Sequence, residues 1–320
     1  MDSFGRTIDY LRISVTDRCN ERCLYCMPEG YSGWAGKEDH LSPDEILRVV
    51  KTAANLGFRK FRLTGGEPLV RRDIVEIARR IWEVPGVETL GISSNGLRLP
   101  ELAVPLRQAG VRSVNISLDT LDPVIYKTLT GGSLERVLAG IEAALAAGFE
   151  RVKLNAVLMR GINENQLIPL VRFAEQRDCP MRFIELMPVG PDAPINDKHF
   201  FSIPEAMAVL GNVAPLVPSK HERIGNGPAK YFRLGNALVG FIGAMTCAEF
   251  CADCNKMRLT ADGKIRPCLG HDSEIDLKPA LRGGVSSVQE LMEFALVKKP
   301  EKHAFAESVD RQRPMTAVGG

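Results

Sequence analysis

The sequence predicts an α/β fold: an incomplete (βα)6 TIM-like barrel followed by a smaller α+β extension. Three observations carry this. Strand-like and helix-like runs alternate through the first two thirds of the 320 residues, which implies a parallel sheet with right-handed crossovers. The alternation yields six strands, short of the eight that close a full barrel. After residue 188 the pattern breaks at a Pro/Gly/Asp-rich connection, PVGPDAPIND. We divide the chain into 1–225, the partial barrel, and 226–320, an extension that closes its opening.

The first strand is YLRISV (10–15), followed directly by a cysteine-rich loop. The helix at 42–56 opens on Ser42-Pro43-Asp44-Glu45, a Ser cap with Pro in the first turn and Glu three residues on. RKFRLT (59–64) is a strand and 72–83 a helix; VETLGI (87–92) is a strand and 99–109 a helix. VRSVNISL (111–118) is a strand, followed by helices at 122–129 and 134–147. ERVKLNAVL (150–158) precedes a helix at 163–177, and PMRFIELM (180–187) is the sixth strand. Beyond it, 201–211 reads as a short helix and 230–245 as a hairpin turning at Gly235-Asn236. Residues 286–299 read as a helix, and the end, RQRPMTAVGG, is polar and flexible in character. In such folds the active site lies at the carboxyl ends of the strands.

Composition narrows the function. Forty-one Lys+Arg against 39 Asp+Glu give a formal +2, which disfavours a general nucleic-acid binder but not a local basic pocket. No apolar stretch approaches the roughly 18 residues that span a membrane, and MDSFGRTIDY lacks an apolar signal core. A soluble, cytoplasmic protein is expected, monomer or homodimer.

Eight cysteines are present. Cys19, Cys23 and Cys26 form C-x3-C-x2-C; Cys251, Cys254 and Cys268 form C-x2-C-x13-C. Such clustering points to metal or cluster ligation. Three thiolates on a four-iron cluster leave one iron open to a small molecule. The spacing of the second triplet also suits zinc, with His271 or another group as fourth ligand; a zinc-containing nucleic-acid binder is the reading that goes with it. Cys179 and Cys247, outside both patterns, read as small buried hydrophobes.

Cations recur along the strands. Lys60 and Arg62 share a face, as do Arg12 and Ser14, and Lys153 and Asn155. Arg182 lies in the sixth strand. Inward-facing cations are costly unless a ligand neutralises them, and Arg suits bidentate contacts with an anion; the pattern equally suits solvated or salt-bridged surface charges.

C-x3-C-x2-C after a first barrel strand resembles the signature of the radical S-adenosylmethionine superfamily, and Thr64-Gly65-Gly66-Glu67-Pro68 at the end of the second strand resembles its Gly-Gly-Glu-Pro motif. The segments LRISVTDRCNERCLYC, RLTGGEPLVRRD, SSNG, NISLDT, KLNAVLMRGIN, RFIELMPVG and FCADCNKMRL, with a terminal Gly-Gly, run in the order found in the GTP 3′,8-cyclase family of molybdenum-cofactor biosynthesis. The similarity spans nearly the whole chain and disfavours zinc.

That resemblance implies two [4Fe-4S] clusters, on Cys19, Cys23 and Cys26 and on Cys251, Cys254 and Cys268 in the extension. It implies S-adenosyl-L-methionine as cofactor, near Tyr25, Gly66, Ser117 and Met187. It implies GTP as substrate, at Arg12, Lys60, Arg62, Ser93, Lys153, Arg182, Lys256, Met257 and Arg258, with Lys256 and Arg258 acting in catalysis. A 5′-deoxyadenosyl radical would remove the 3′ hydrogen of GTP, and C3′ would close onto C8. The implied partners are a flavodoxin- or ferredoxin-like reductant and cyclic pyranopterin monophosphate synthase downstream. Ser93 stands where relatives often carry Thr. Asn255-Lys256-Met257-Arg258 departs from the family's Asn-Arg-x-Arg, losing one planar fork. The double-Gly tail, Gly319-Gly320, would reach into the site.

Overall fold

The computed structural model describes residues 1–27, 30–31, 34, 36–190, 198–219, 227–305 and 313–319. The 225/226 boundary, most of the 188–197 connection and Gly320 therefore lie outside the described residues. Six strands follow the expected order: β1 (Tyr10–Ser14), β2 (Lys60–Thr64), β3 (Thr89–Ser94), β4 (Ser113–Ser117), β5 (Arg151–Leu158) and β6 (Met181–Glu185). Each pairs in parallel with the next. The connecting helices are α1 (Pro43–Asn55), α2 (Ile74–Trp82), α3 (Leu99–Gln108), α4 (Pro123–Thr130), α5 (Leu134–Ala146) and α6 (Leu167–Glu175).

Local chemistry explains these boundaries. Ser42 Oγ accepts from the Glu45 amide at 3.2 Å while Glu45 Oε2 accepts from the Ser42 amide at 2.8 Å, so α1 begins on a reciprocal cap. Gly131, at φ 71°, ends α4 in the left-handed region. α1 buries Ile46, Val49, Val50, Ala53 and Ala54, and each large aliphatic side chain so covered contributes about 1.5–3 kcal/mol. The strands are two-sided. Leu11, Ile13, Phe61 and Leu63 enter the core, while the alternate positions of β1 and β2 face the barrel interior.

Beyond β6 the chain does more than the sequence indicated. After β6 come α7 (Ile203–Gly211) and β7 (Leu216–Pro218), and the extension adds β8 (Lys230–Leu234), β9 (Ala237–Ile242), β10 (Lys256–Leu259), β11 (Lys264–Arg266), β12 (Ile275–Asp276), α8 (Lys278–Leu281), α9 (Val288–Val297) and α10 (Met315–Val318). β8 and β9 make the expected hairpin. β9 also pairs in parallel with β6, and β10 in parallel with β1. The parallel row thus runs β10-β1-β2-β3-β4-β5-β6-β9 within a sheet of twelve strands among the described residues. Spacing of the Cys251 group gave no sign that β10 joins the barrel edge.

Three expectations are corrected. The sixth strand ends at Glu185 rather than 187, because the Glu185 carboxylate accepts from the amides of Ile203, Met245 and Thr246 and draws other chain segments to that point. The polar end is not loose: Thr316 and Val318 are buried in α10 and Gly319 is buried beyond it. Cys179 is buried as expected, but Cys247 is only half-buried.

Candidate active site

A cavity of about 350 Å³ opens at the carboxyl ends of the strands. All six clustered cysteines line it: Cys19, Cys23 and Cys26, and Cys251, Cys254 and Cys268. The first loop is pinned to the end of α4 by amide bonds from Arg22 to the Thr130 carbonyl (2.7 Å) and from Leu24 to the Leu129 carbonyl (2.9 Å). A tight turn, with the Cys26 amide donating to the Cys23 carbonyl at 2.9 Å, presents the thiols. Burial pushes the Cys19 and Cys26 thiols up to about 12, and Cys23 well above its ordinary value. Cys254 differs. Burial raises it, but the Lys299 charge and neighbouring donors outweigh that and hold it below the ordinary value.

Gly65 and Gly66 are steric necessities. A Cβ on Gly65, at φ 151°, would lie 2.2 Å from the Thr16 carbonyl oxygen, and one on Gly66 2.4 Å from those of Asp17 and Arg18. Glu67 fastens this crossing. Its carboxylate accepts from the Leu69 amide (2.9 Å), Ser94 Oγ (2.9 Å) and the Asn95 amide (2.7 Å). Burial lifts its pKa to about 7 against those bonds. Asp119 accepts from Tyr25 Oη at 2.8 Å and is itself pushed up to about 6 by burial. Sequence reasoning did not assign roles to Glu67 or Asp119, although both lie inside the segments SSNG, NISLDT and RLTGGEP or beside them.

The cations form a rung across the sheet. Arg266, Arg258, Arg12 and Arg62 stand at paired register positions on β11, β10, β1 and β2. Arg62 Nε donates to Tyr10 Oη at 2.6 Å and Nη1 to the Ile92 carbonyl at 2.7 Å. Gly91 makes room for it, since a Cβ there would meet Arg62 Nη2 at 2.5 Å. Arg182 donates to Asn155 Oδ1 at 2.8 Å. Burial, with Arg12 and Arg266 beside it, lowers Arg258 to about 9; burial, with Arg182 and Arg62, lowers Lys153 to about 6. Arg12, Arg62 and Arg258 line the cavity, whereas Arg266 is paired with Glu274 at 3.1 Å outside it; like charges on adjacent strands destabilise each other.

Of the residues expected at the site, Tyr25, Gly66, Ser117, Met187, Arg12, Arg62, Ser93, Lys153, Arg182, Lys256 and Arg258 line the cavity. Two do not. Lys60 Nζ is paired with Asp9 at 2.6 Å. Met257 packs in the hydrophobic core, because it alternates with Lys256 and Arg258 on β10. His271, the fourth ligand of the zinc reading, lies outside the lining, with Nε2 3.0 Å from the Lys302 carbonyl. The tail enters the site: Gly319 accepts from Arg258 Nη1, and a Cβ on Gly319 would meet Thr64 Cγ2 at 2.8 Å. Arg313 anchors that tail to Asp262 at 2.8 Å. Asn115 Oδ1 and Thr316 Oγ1 are buried in the lining without a hydrogen-bond partner among the described residues.

Two open-sided thiol groups and a glycine cradle at the strand ends of a partial barrel define a radical S-adenosylmethionine enzyme. A family model described as the radical SAM superfamily matches residues 13–174, and one described as Molybdenum Cofactor Synthesis C matches 179–305. The fold is similar to Streptococcus suis SuiB bound to S-adenosylmethionine (TM-score 0.64, 16% identity, 87% of this chain), of which this chain spans 64%. It is also similar to native anSMEcpe with bound AdoMet (TM-score 0.55, 15% identity, 92% of this chain and 82% of that one). Proteins named GTP 3′,8-cyclase from Pelotomaculum thermopropionicum and Moorella thermoacetica are 44% and 43% identical, over 100% of this chain and 99% of each of theirs. The chain belongs to the GTP 3′,8-cyclase family.

The donor sets fit the cofactors this implies. Each cysteine group supplies three thiols to the shared cavity, and each thiolate of a four-iron cluster bonds a different iron, so the three need not converge on one point. Among the described residues, no group of three His, Cys, Asp or Glu side chains is arranged to hold a single metal ion. The radical SAM domain implies a [4Fe-4S] cluster and S-adenosylmethionine; Cys19, Cys23 and Cys26 would hold that cluster, and the cysteines of the extension fit a second. Among the described residues, no helix is long and apolar enough to cross a membrane.

Proposed function

We propose that this chain cyclises GTP to (8S)-3′,8-cyclo-7,8-dihydroguanosine 5′-triphosphate, the first step of molybdenum cofactor biosynthesis. One observation carries the reading: an arginine rung lies in the same cavity as both thiol groups. The relatives named GTP 3′,8-cyclase support it at full length.

When bound, the clusters and S-adenosylmethionine supply the electron and the 5′-deoxyadenosyl radical. The chain's own residues do the rest. Arg12, Arg62, Lys153 and Arg182 hold the triphosphate and fix the ribose and base between the two thiol groups. Ser93 and Asn115 supply neutral hydrogen-bonding groups, 3.5 Å apart. Tyr25, Gly66, Ser117 and Met187 position S-adenosylmethionine against the Cys19 loop. Arg258 and Lys256, on the strand between Cys254 and Cys268, orient the reacting nucleotide. Lys60, paired to Asp9 at the rim, and Met257, through its backbone, play lesser parts. The packed tail around Thr316 and Gly319 keeps water from the radical. A flavodoxin- or ferredoxin-like reductant, a downstream cyclic pyranopterin monophosphate synthase, a cytoplasmic location and the 1–225/226–320 division complete the reading.

The test is anaerobic turnover with S-adenosylmethionine, reductant and GTP deuterated at C3′. Deuterium is expected in the 5′-deoxyadenosine. GTP-independent 5′-deoxyadenosine with no deuterium transfer would sink the assignment.

A further inference from the structure

Lys299 belongs to none of the motifs, yet it is 3% exposed and lines the cavity. Lys298, one residue earlier, is exposed, so solvent was within reach of this stretch. The Lys299 ammonium donates to the Lys256 carbonyl and to the Pro267 carbonyl, each at 2.8 Å. Those oxygens lie two residues after Cys254 and one before Cys268. A single buried cation thus joins the two segments that carry the second thiol group.

The chain around it forms a strap. His303 Nε2 lies 2.8 Å from the Ala244 carbonyl, and the Ala304 amide donates to the Gly270 carbonyl at 3.0 Å. Gly270 permits this approach, since a Cβ there would lie 2.8 Å from His303 Cβ. From the N-terminus, Arg6 Nη1 donates to the Cys251 carbonyl at 3.0 Å and Nη2 to the Pro300 carbonyl at 2.6 Å. Among the described residues, Lys299 forms no ion pair with a carboxylate. A buried ammonium costs several kcal/mol unless an opposite charge lies beside it. A cluster held by Cys251, Cys254 and Cys268 would supply that opposite charge.

We propose that Lys299 is a positioning residue of the second iron–sulfur centre: it locks the Cys254 and Cys268 segments together and sets a fixed positive charge against the cluster. The proposal rests on the reading of a cluster at Cys251, Cys254 and Cys268. Outer-shell partners of metal ligands typically contribute about 10–100-fold in metal affinity, and net charge is one of the levers on a cluster's potential.

The experiment uses the full chain with Cys19, Cys23 and Cys26 replaced by Ala, so that all bound iron belongs to the second centre. Lys299→Met and Lys299→Arg are compared with that parent after anaerobic reconstitution. The readouts are iron and sulfide per chain, iron release to a chelator and the midpoint potential. Lys299→Met is expected to release iron about tenfold faster or more and to show a more negative potential. Lys299→Arg is expected to stay near the parental potential. An unchanged potential and release rate in Lys299→Met overturns the proposal. In a second pair with Cys19, Cys23 and Cys26 intact, equal loss of iron from both centres on Lys299→Met marks a merely structural role and also overturns it. A parent that binds no iron removes the second cluster itself, a failure distinct from that of Lys299.

Discussion

The two thiol groups face one cavity but are built in opposite ways. Cys19, Cys23 and Cys26 sit within eight residues of one loop, shaped by its own turn and by a few bonds to α4. Cys251, Cys254 and Cys268 come from two segments separated by the β10–β11 hairpin, held by Arg6 and Lys299 from the two ends of the chain. The first is a local device in its ligand spacing, with its loop fastened to α4 and to Asp119. The second exists only when the whole chain has folded, so it is the more sensitive to distant substitutions.

The largest expected effect breaks the local device. Cys19→Ala, Cys23→Ala or Cys26→Ala should abolish S-adenosylmethionine cleavage, read as 5′-deoxyadenosine, and bring the iron content to about half. The same substitution at Cys251, Cys254 or Cys268 should leave S-adenosylmethionine cleavage measurable but remove cyclised nucleotide. If both sets failed identically, the two groups would not have separate tasks. Arg258→Ala should keep both clusters, by iron and sulfide assay, and lower GTP turnover about 100-fold or more.

Next in size is a pH effect. Lys153, held at about 6 against an ordinary 10.5, is neutral at pH 7.5 in the ligand-free site. Between those two values the unfolded chain carries a proton that the native one lacks, so Lys153 makes stability rise with pH across that window. A bound triphosphate draws the proton back. Calorimetry in buffers of different ionisation enthalpy should show proton uptake on GTP binding near pH 7.5, and affinity should strengthen as pH falls from about 8.5 to about 6.5. Lys153→Met should weaken binding and flatten both trends. The smallest effect is Lys256→Arg, which restores the family's usual fork. It should tighten GTP binding by about a few-fold; a loss instead would mean that the pocket here has adjusted to the ammonium.

The difference between the groups also sets what was legible. The first thiol loop, the glycine cradle and the order of the six barrel strands follow from short-range spacing and period-2 alternation, with strand ends shifted by up to about two residues. Met257 and Lys60 lie outside the cavity lining for contrasting reasons. Met257 needed the facing of β10, which only pairing with β1 fixes, and Lys60 needed its partner Asp9, 51 residues away in sequence. Glu67 and Asp119 lay in familiar-looking segments, but their burial is a tertiary property. Lys299 had no sequence signal, because a lysine beside another lysine at a helix end ordinarily reads as solvated. The end of the chain looked loose from its polarity, whereas Arg313 ties it down 51 residues from its acidic partner.

The row of paired arginines has a practical consequence for handling this protein. Without an anion, the strands that carry it repel one another, and any multivalent oxyanion relieves that repulsion. Sulfate or phosphate in a purification buffer should therefore raise the melting temperature and compete with nucleotide. Affinities measured in such buffers would understate the grip of the pocket, and chloride at low ionic strength is the medium in which to weigh it.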